Sequence, residues 1–319
     1  MLSMFFGNDN QMVMLFGVIA AFFATFILTN TLRVKLPSDQ GRAFAVDGAK
    51  SAGKPRGAGI IFVLVFAVVT LLFANFSLEL LIYVALTVVE MITGYMDDAS
   101  SKPWGEYFKG FLDLVVAVMV AITYVHFNGT GVTIALTGYT FRLPLVVFVI
   151  LVVILVWTAI NVTNCSDGVD GLSASLVSVT LMSFYIVMEK SDFISHDFNY
   201  VIILFVMCLV AYLWFNATPS LLLMGDAGSR AMGIFIAITA LKSGAPFLYL
   251  LLSLVLILDG GLGLLKVALL RFCKIHILKN TRTPLHDHVR KNIGWSNTQV
   301  VFRFVIIQIV LSAIVIYLI

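Results

Sequence analysis

Residues 161–175 read NVTNCSDGVDGLSAS, and the chain on either side is almost wholly apolar: LPLVVFVILVVILVWTAI at 143–160 before it, LVSVTLMSFYIVM at 176–188 after it. A membrane helix needs about 20 apolar residues. In lipid the backbone must satisfy its own hydrogen bonds within the segment, which only a helix or a closed barrel can do. The polar stretch is therefore a loop between two membrane helices, and the same alternation recurs along the chain. Candidate spans run at 11–31, 58–75, 79–96, 109–127, 143–161, 171–189, 198–217, 230–245, 247–271 and 298–318, the eighth being short.

Composition agrees. Of 319 residues 61% are hydrophobic and only 12% charged, against about 25% charged in a soluble domain. A soluble globular fold is excluded. The expectation is an all-α integral membrane protein, a bundle of about ten transmembrane helices forming one polytopic domain over 1–319. One segment departs from this pattern: GVTIALTGYTFRLP at 131–144 alternates apolar and polar residues around a Thr-Gly, which predicts a small β-hairpin. The first ten residues, MLSMFFGNDN, lack the basic region of a cleavable signal. Cys165, Cys208 and Cys273 are scattered and give neither a disulfide framework nor zinc spacing.

Orientation follows from the 20 Lys and Arg. With ten spans, the loop holding Arg33, Lys35, Arg42, Lys50, Lys54 and Arg56 shares a side with the loop holding Arg271, Lys274, Lys279, Arg282, Arg290 and Lys291. Lys102, Lys109 and Arg230 join them, with Lys266 and Arg303 near, and only Arg142, Lys190 and Lys242 fall opposite. Positive charge marks the cytoplasmic side. Both termini and the hairpin are thus expected outside the cytoplasm. The basic loops are expected to meet anionic membrane lipids; no nucleic-acid partner is expected.

All the polar clusters fall in loops on that cytoplasmic side. GYMDDASSKPWGEYFKG ends a span with Asp97 and Asp98 and continues to Lys109; the quoted loop adds Asp167 and Asp170; MGDAGSRAMG sets Asp226 between two glycines. TRTPLHDHVRKN carries His286 and His288 two apart. Because Pro284 disfavours helix just before it, an extended segment would put both imidazoles on one face. Taken singly, an aspartate at a helix end reads as an N-cap. Gathered on one face with a dozen cations, they read as a magnesium-dependent site for phosphate-bearing substrates. Magnesium takes a few carboxylate oxygens and leaves its other positions to water and phosphate.

In order, GYMDDAS, NVTNCSDGVDGLSAS, MGDAGSRAMG and PLHDHVRKNIGWSNTQVVFRF resemble the motifs of the phospho-N-acetylmuramoyl-pentapeptide transferase family. That family lies within the polyprenyl-phosphate N-acetylhexosamine-1-phosphate transferase superfamily, and the resemblance implies the inner (plasma) membrane of a bacterial cell. The resemblance implies that Asp97 and Asp98 are its paired aspartates and Asp226 its Mg2+ ligand. Asn164, Asp167 and Asp170 match positions near its uridine pocket, with Asn216 and Leu223 as weaker matches there. His286 and His288 match the outer members of a triple-histidine motif whose centre is Asp287 here. Lys50 and Lys54 compete for one family lysine, Lys109 is a further candidate substrate contact, and a lysine usually three after the second aspartate stands four after it, at Lys102. Leu223 stands where the family carries an aromatic that stacks on uridine.

The reaction implied joins UDP-N-acetylmuramoyl-pentapeptide to undecaprenyl phosphate, giving lipid I and UMP, the first membrane step of peptidoglycan synthesis. Asp97 would be the base and Asp98 an organiser; a covalent aspartyl-phosphate route stays open beside direct attack. The resemblance also implies nucleoside inhibitors such as tunicamycin as ligands and allows a homodimer. A sibling transferase moving N-acetylglucosamine-1-phosphate is the alternative, against which the GW…VVFRF stretch argues. A CDP-alcohol phosphotransferase would hold its acids in one compact run, not over three loops. A transporter would place polar groups near the midplane, where only Glu90 and Asp259 stand as exceptions.

Overall fold

In the computed structural model, residues 11–41, 51–100, 102, 104–191, 194–196 and 198–319 are described. Each of the ten expected spans is helical. They are α1 (Gln11–Leu32), α2 (Gly59–Phe73), α3 (Leu78–Asp98), α4 (Glu106–Asn128), α5 (Leu145–Cys165), α6 (Leu172–Lys190), α7 (Asn199–Asn216) and α8 (Gly225–Lys242). After α8 comes an interrupted helix, α9, from Leu248–Leu252 to Leu269–Cys273, then the short α10 (Leu285–Lys291) and α11 (Asn297–Leu318). Seven of these (α1, α3, α4, α5, α6, α7 and α11) are long and apolar enough on their own to cross a membrane. α2 is shorter, α8 carries Asp226, Arg230 and Lys242, and α9 is broken. The protein is a multi-pass membrane protein.

Local signals start the helices where they begin. Ser77 caps α3 by accepting the Leu80 N–H at 3.1 Å. Ser296 and Gln299 form a reciprocal capping box at the start of α11. The hairpin forms as expected: β1 (Gly131–Ile134) pairs antiparallel with β2 (Tyr139–Arg142), Ile134 opposite Tyr139 across the Thr137–Gly138 turn.

α8 is the axis of the bundle. Every residue from Gly225 to Leu241 is buried, and it packs chiefly against α3 and α5. Small residues make this possible, as in membrane bundles generally, where close backbone approach replaces the hydrophobic drive. A Cβ on Gly94 would sit 2.4 Å from the Asp226 carbonyl oxygen, and one on Gly59 would sit 2.1 Å from the Gly228 nitrogen. The outer helices instead show apolar side chains outward, such as Phe16, Phe23 and Ile27 on α1 and Phe302, Ile306 and Val310 on α11, the surface that lipid covers.

The helix ends sort the charge. At one end of the bundle Lys242 Nζ donates to Glu79 Oε2 at 2.9 Å and Asn128 Oδ1 at 3.1 Å, and the Thr133 N–H joins the hairpin to the Gly244 carbonyl at 2.8 Å. At the other end of the same three helices lie Asp97 and Asp98, Lys109, and Asp226.

Candidate active site

α8 begins at Gly225, five residues earlier than the hydropathy pattern placed its span, so Asp226 lies in the first helical turn and not in a loop. Gly225 has φ +69°, and a Cβ there would fall 2.0 Å from Asp98 Oδ2. Only glycine lets the carboxylate at the end of α3 meet the start of α8. The contact completes a helix terminus: the Ala227 N–H donates to Asp98 Oδ2 at 3.1 Å, so Asp98 serves from another helix the donors that α8's first turn leaves open.

Two cations close this corner. Lys109 Nζ donates to Asp97 Oδ2 and, at 3.1 Å, to Asp226 Oδ2. Asp97 also accepts the Trp104 N–H at 2.7 Å. Arg56 donates to three carboxylates: Nε to Asp98 Oδ1 at 2.7 Å, Nη1 to Asp39 Oδ1 at 2.9 Å and Nη2 to Asp226 Oδ1 at 3.3 Å. Burial opposes its charge, but Asp98 and Asp226 outweigh that and shift its pKa further up. Burial likewise works against the Asp39 carboxylate, yet the Ser51 hydroxyl and Arg56 hold it below the usual range. Sequence reading counted Arg56 only as one basic loop residue and passed over Asp39.

The segment carrying Arg56 is built into the site. Its N–H donates to the Pro37 carbonyl at 2.8 Å, and the Leu223 N–H donates to the Pro55 carbonyl at 2.8 Å, making Arg56 and Leu223 parallel bridge partners. Two residues before Arg56, Lys54 donates to Ser220 Oγ at 2.9 Å and stands 3.7 Å from Asp170 Oδ2. Lys50, the other candidate for this role, lies outside the described residues. Lys102 is exposed and takes no part in the aspartate cluster.

Asp170 also accepts the Ser220 N–H at 3.2 Å. Asn216 ties the two loops by accepting the Gly171 N–H at 2.8 Å and donating to the Leu222 carbonyl at 2.9 Å. Asp167 accepts from Ser173 Oγ at 2.6 Å, and Asn164 from Ser229 Oγ at 3.3 Å. The capping reading of the aspartates does not hold: the N-cap positions are Gly171 and Met224, neither with a side-chain cap. Leu223 is partly exposed beside this group.

The histidines correct an expectation. Residues 285–291 are helical, with Pro284 at the N-cap, where its missing N–H costs nothing and its fixed φ suits the turn. Two residues apart on a helix, the imidazoles diverge. His286 is buried: its N–H donates to Asp259 Oδ1 at 2.8 Å and its Nδ1 lies 2.9 Å from Asp259 Oδ2. His288 Nδ1 instead accepts the Arg282 N–H at 3.3 Å. Burial disfavours the His286 imidazolium, but the Asp259 carboxylate overrides it, and the pKa is raised from 6.5. Asp259 occupies the π-helical stretch Ile257–Gly261 of α9, a wide turn often found at functional sites. On the other side, a Cβ on Gly168 would lie 2.2 Å from His286 Nε2, so the glycine of SDGVDG admits the imidazole edge. The intramembrane exception Asp259 thus holds His286 beside the SDGVDG loop.

Glycosyl transferase family 4 matches residues 80–244, just over half the chain and nearly all of the helices that hold these carboxylates. The phospho-N-acetylmuramoyl-pentapeptide-transferase of Treponema pallidum (strain Nichols) is 44% identical across 91% of this chain and 84% of that protein. The chain belongs to this transferase family. The protein of that name from Symbiobacterium thermophilum is 30% identical over 79% of the chain and 78% of its own length. The one from Bacillus subtilis (strain 168) is 26% identical over 97% and 98%. The family match takes in the DD pair, the SDGVDG loop and the MGDAGS helix start.

The donor chemistry suits a hard cation. Asp97, Asp98 and Asp226 offer only carboxylate oxygens, which magnesium prefers. Among the described residues no three His, Cys, Asp or Glu converge on a common point as a metal-binding group, since these carboxylates are turned onto Arg56 and Lys109. A metal would take Asp226 by exchanging with those cations.

Proposed function

We propose that the protein transfers phospho-N-acetylmuramoyl-pentapeptide from its UDP conjugate to undecaprenyl phosphate, forming lipid I and UMP, at the cytoplasmic face of the bacterial inner membrane. The observation that carries this reading is the meeting of Asp97, Asp98 and Asp226 with Lys109 and Arg56 at one end of three packed helices, on a chain of this family. Attack of a phosphate monoester on a diphosphate sets anion against anion. Charge neutralisation and alignment therefore supply most of the catalysis.

Asp226 is proposed as the ligand of Mg2+, with Asp97 and Asp98 beside it; the ion, when bound, polarises the diphosphate and stabilises the departing UMP oxygen. Asp97 is assigned as the base that keeps the lipid phosphate fully ionised, and Asp98 as the group that fixes the start of α8. Lys54, Asn164, Asp167, Asp170, Asn216 and Leu223 surround the proposed uridine end, where amide and carboxylate groups can pair with a base edge. His286, aimed through Nε2 at Gly168, is proposed to donate to substrate phosphate or sugar, with His288 at the rim. The positive-charge pattern supports both termini and the hairpin lying outside.

Incubating purified protein with radiolabelled UDP-N-acetylmuramoyl-pentapeptide and undecaprenyl phosphate should yield labelled lipid and free UMP, in a Mg2+-dependent way. Preferential transfer from UDP-N-acetylglucosamine would refute the substrate assignment.

A further inference from the structure

We infer that Arg56 occupies the aspartate cluster in the metal's stead before substrate arrives, and that its Nη2 arm leaves Asp226 for the diphosphate of the nucleotide substrate once the metal binds. The inference rests on the reading of Asp226 as the metal ligand and adds a role that no motif of the resemblance gives to this residue.

The geometry distinguishes an anchor from an arm. Nε and Nη1 make the two shorter bonds, to Asp98 at 2.7 Å and Asp39 at 2.9 Å, while Nη2 makes the longest, to Asp226 at 3.3 Å. Asp39 is no part of the proposed metal set, and it is fastened in turn by Ser51 Oγ at 2.5 Å and the Gly41 N–H at 3.3 Å. The Arg56 backbone is held on both sides, by Pro37 and by the bridge to Leu223. The side chain can thus re-aim its fork but not leave the site.

Charge gives the direction of the exchange. A dication arriving on Asp226 repels a guanidinium bonded to the same carboxylate, and the displaced N–H is then a buried donor in need of an acceptor. The Arg56 side chain is 14% exposed, so an incoming anion can reach it, and a charged oxygen is a stronger acceptor than water. Oxygens of a diphosphate bound to the same metal would lie within its reach, and the planar fork of arginine matches them as it matches a carboxylate. Lys54, two residues earlier, stands 3.7 Å from Asp170 on the proposed uridine side. One segment would then present one cation to each end of the nucleotide.

Mn2+ binding to the purified protein in detergent, read by electron paramagnetic resonance without substrate, tests this apart from turnover. Arg56→Gln should bind Mn2+ about tenfold more tightly than the wild type, because a competing cation a few ångströms away is gone. Its KM for the UDP substrate should rise by about tenfold or more, as the diphosphate loses a charged donor. Arg56→Lys keeps the charge and loses the fork, so its Mn2+ affinity should stay near wild type while the KM still rises; it carries the test if Arg56→Gln fails to fold, as judged by its thermal transition. Unchanged or weaker Mn2+ binding in Arg56→Gln, with Asp226→Asn abolishing it, overturns the exchange and leaves the metal assignment standing. A wild-type KM in Arg56→Lys also overturns the exchange. Unaltered Mn2+ binding in Asp226→Asn overturns the metal assignment itself.

Discussion

Two ionic layers lie on the same three helices, one turn apart on α4 and α8 and two turns apart on α3, and they behave as opposites. In the outer layer Lys109 on α4 meets Asp226 on α8 and Asp97 on α3. In the inner layer Asp113, four residues on from Lys109, and Glu90, seven before Asp97, meet Arg230, four on from Asp226. Arg230 Nε donates to Glu90 Oε1 at 2.8 Å and Nη2 donates to Asp113 Oδ1, while Asn161 donates to Asp113 Oδ2 at 3.0 Å. The outer cations are 14% and 24% exposed, Arg230 only 1%. One or two turns of helix, about 5.4 Å each, separate ions that solvent and substrate can reach from ions sealed in the bundle. Charge at the water boundary can change partners during a reaction; sealed charge can only hold helices in register. Even there pairing is incomplete, for Arg230 Nη1 and Glu90 Oε2 have no hydrogen-bond partner among the described residues.

The sharpest test of the comparison is Asp226→Asn. It should cost roughly 10⁴-fold in turnover, about 5.5 kcal/mol of transition-state stabilisation, with the thermal transition little changed. Near wild-type activity at low Mg2+ would remove Asp226 from the metal role. The inner layer should respond the other way. Arg230→Met leaves two buried carboxylates unpaired and should cost about 3–5 kcal/mol of stability. Replacing the group as a whole (Glu90→Gln, Asp113→Asn, Arg230→Met) should restore most of the stability, because no uncompensated charge remains. If the single variant melts like the wild type in detergent, the inner layer is not structural.

A third test addresses pH through His286. Its pKa is raised from 6.5 in the folded protein, so the stability it draws from Asp259 is fully present below that ordinary value and is lost as pH rises through the raised one. The difference in melting temperature between wild type and His286→Asn should correspond to about 2 kcal/mol in acid and shrink steadily in alkali. A difference independent of pH would mean that the pair is not charged. Metal analysis of the same variant should find no zinc to lose, since one imidazole and carboxylates do not make the usual zinc shell.

The smallest effect belongs to the loop that opened the chain's reading. Asp170→Ala should weaken use of both the UDP substrate and UMP, the latter measured by running the transfer backwards from lipid I, by roughly tenfold, about 1.4 kcal/mol. Affinity for undecaprenyl phosphate should hold, because that substrate has no base to read. A variant that binds uridine nucleotides normally but loses the lipid would assign this loop to the other substrate.

Much of the site could be read from residue types alone. The paired aspartates, the SDGVDG loop and MGDAGS announce themselves by polarity at the ends of apolar runs. The inner layer left a subtler trace. Lys109–Asp113 and Asp226–Arg230 are both spaced by four with opposite order of sign, so two helices running the same way would match cation to anion twice. Glu90 and Asp259 stood out as acids inside apolar segments, a signal of buried partners that the transporter alternative absorbed. Arg56 gave no signal, being one of many basic residues in a basic loop.

Hydropathy, turn residues and positive charge by themselves determined the spans, the hairpin and the end of the bundle where the acids collect, because each is a property of a short segment and its own solvent. Tertiary structure alone decided which charges meet. Arg56 finds Asp98 across 42 residues and Asp226 across 170, and His286 finds Asp259 through a π-helical turn that no local periodicity announces. Such pairings depend on how closely backbones approach at Gly94, Gly168 and Gly225. In a low-dielectric interior that distance settles whether a charge is solvated, paired or stranded.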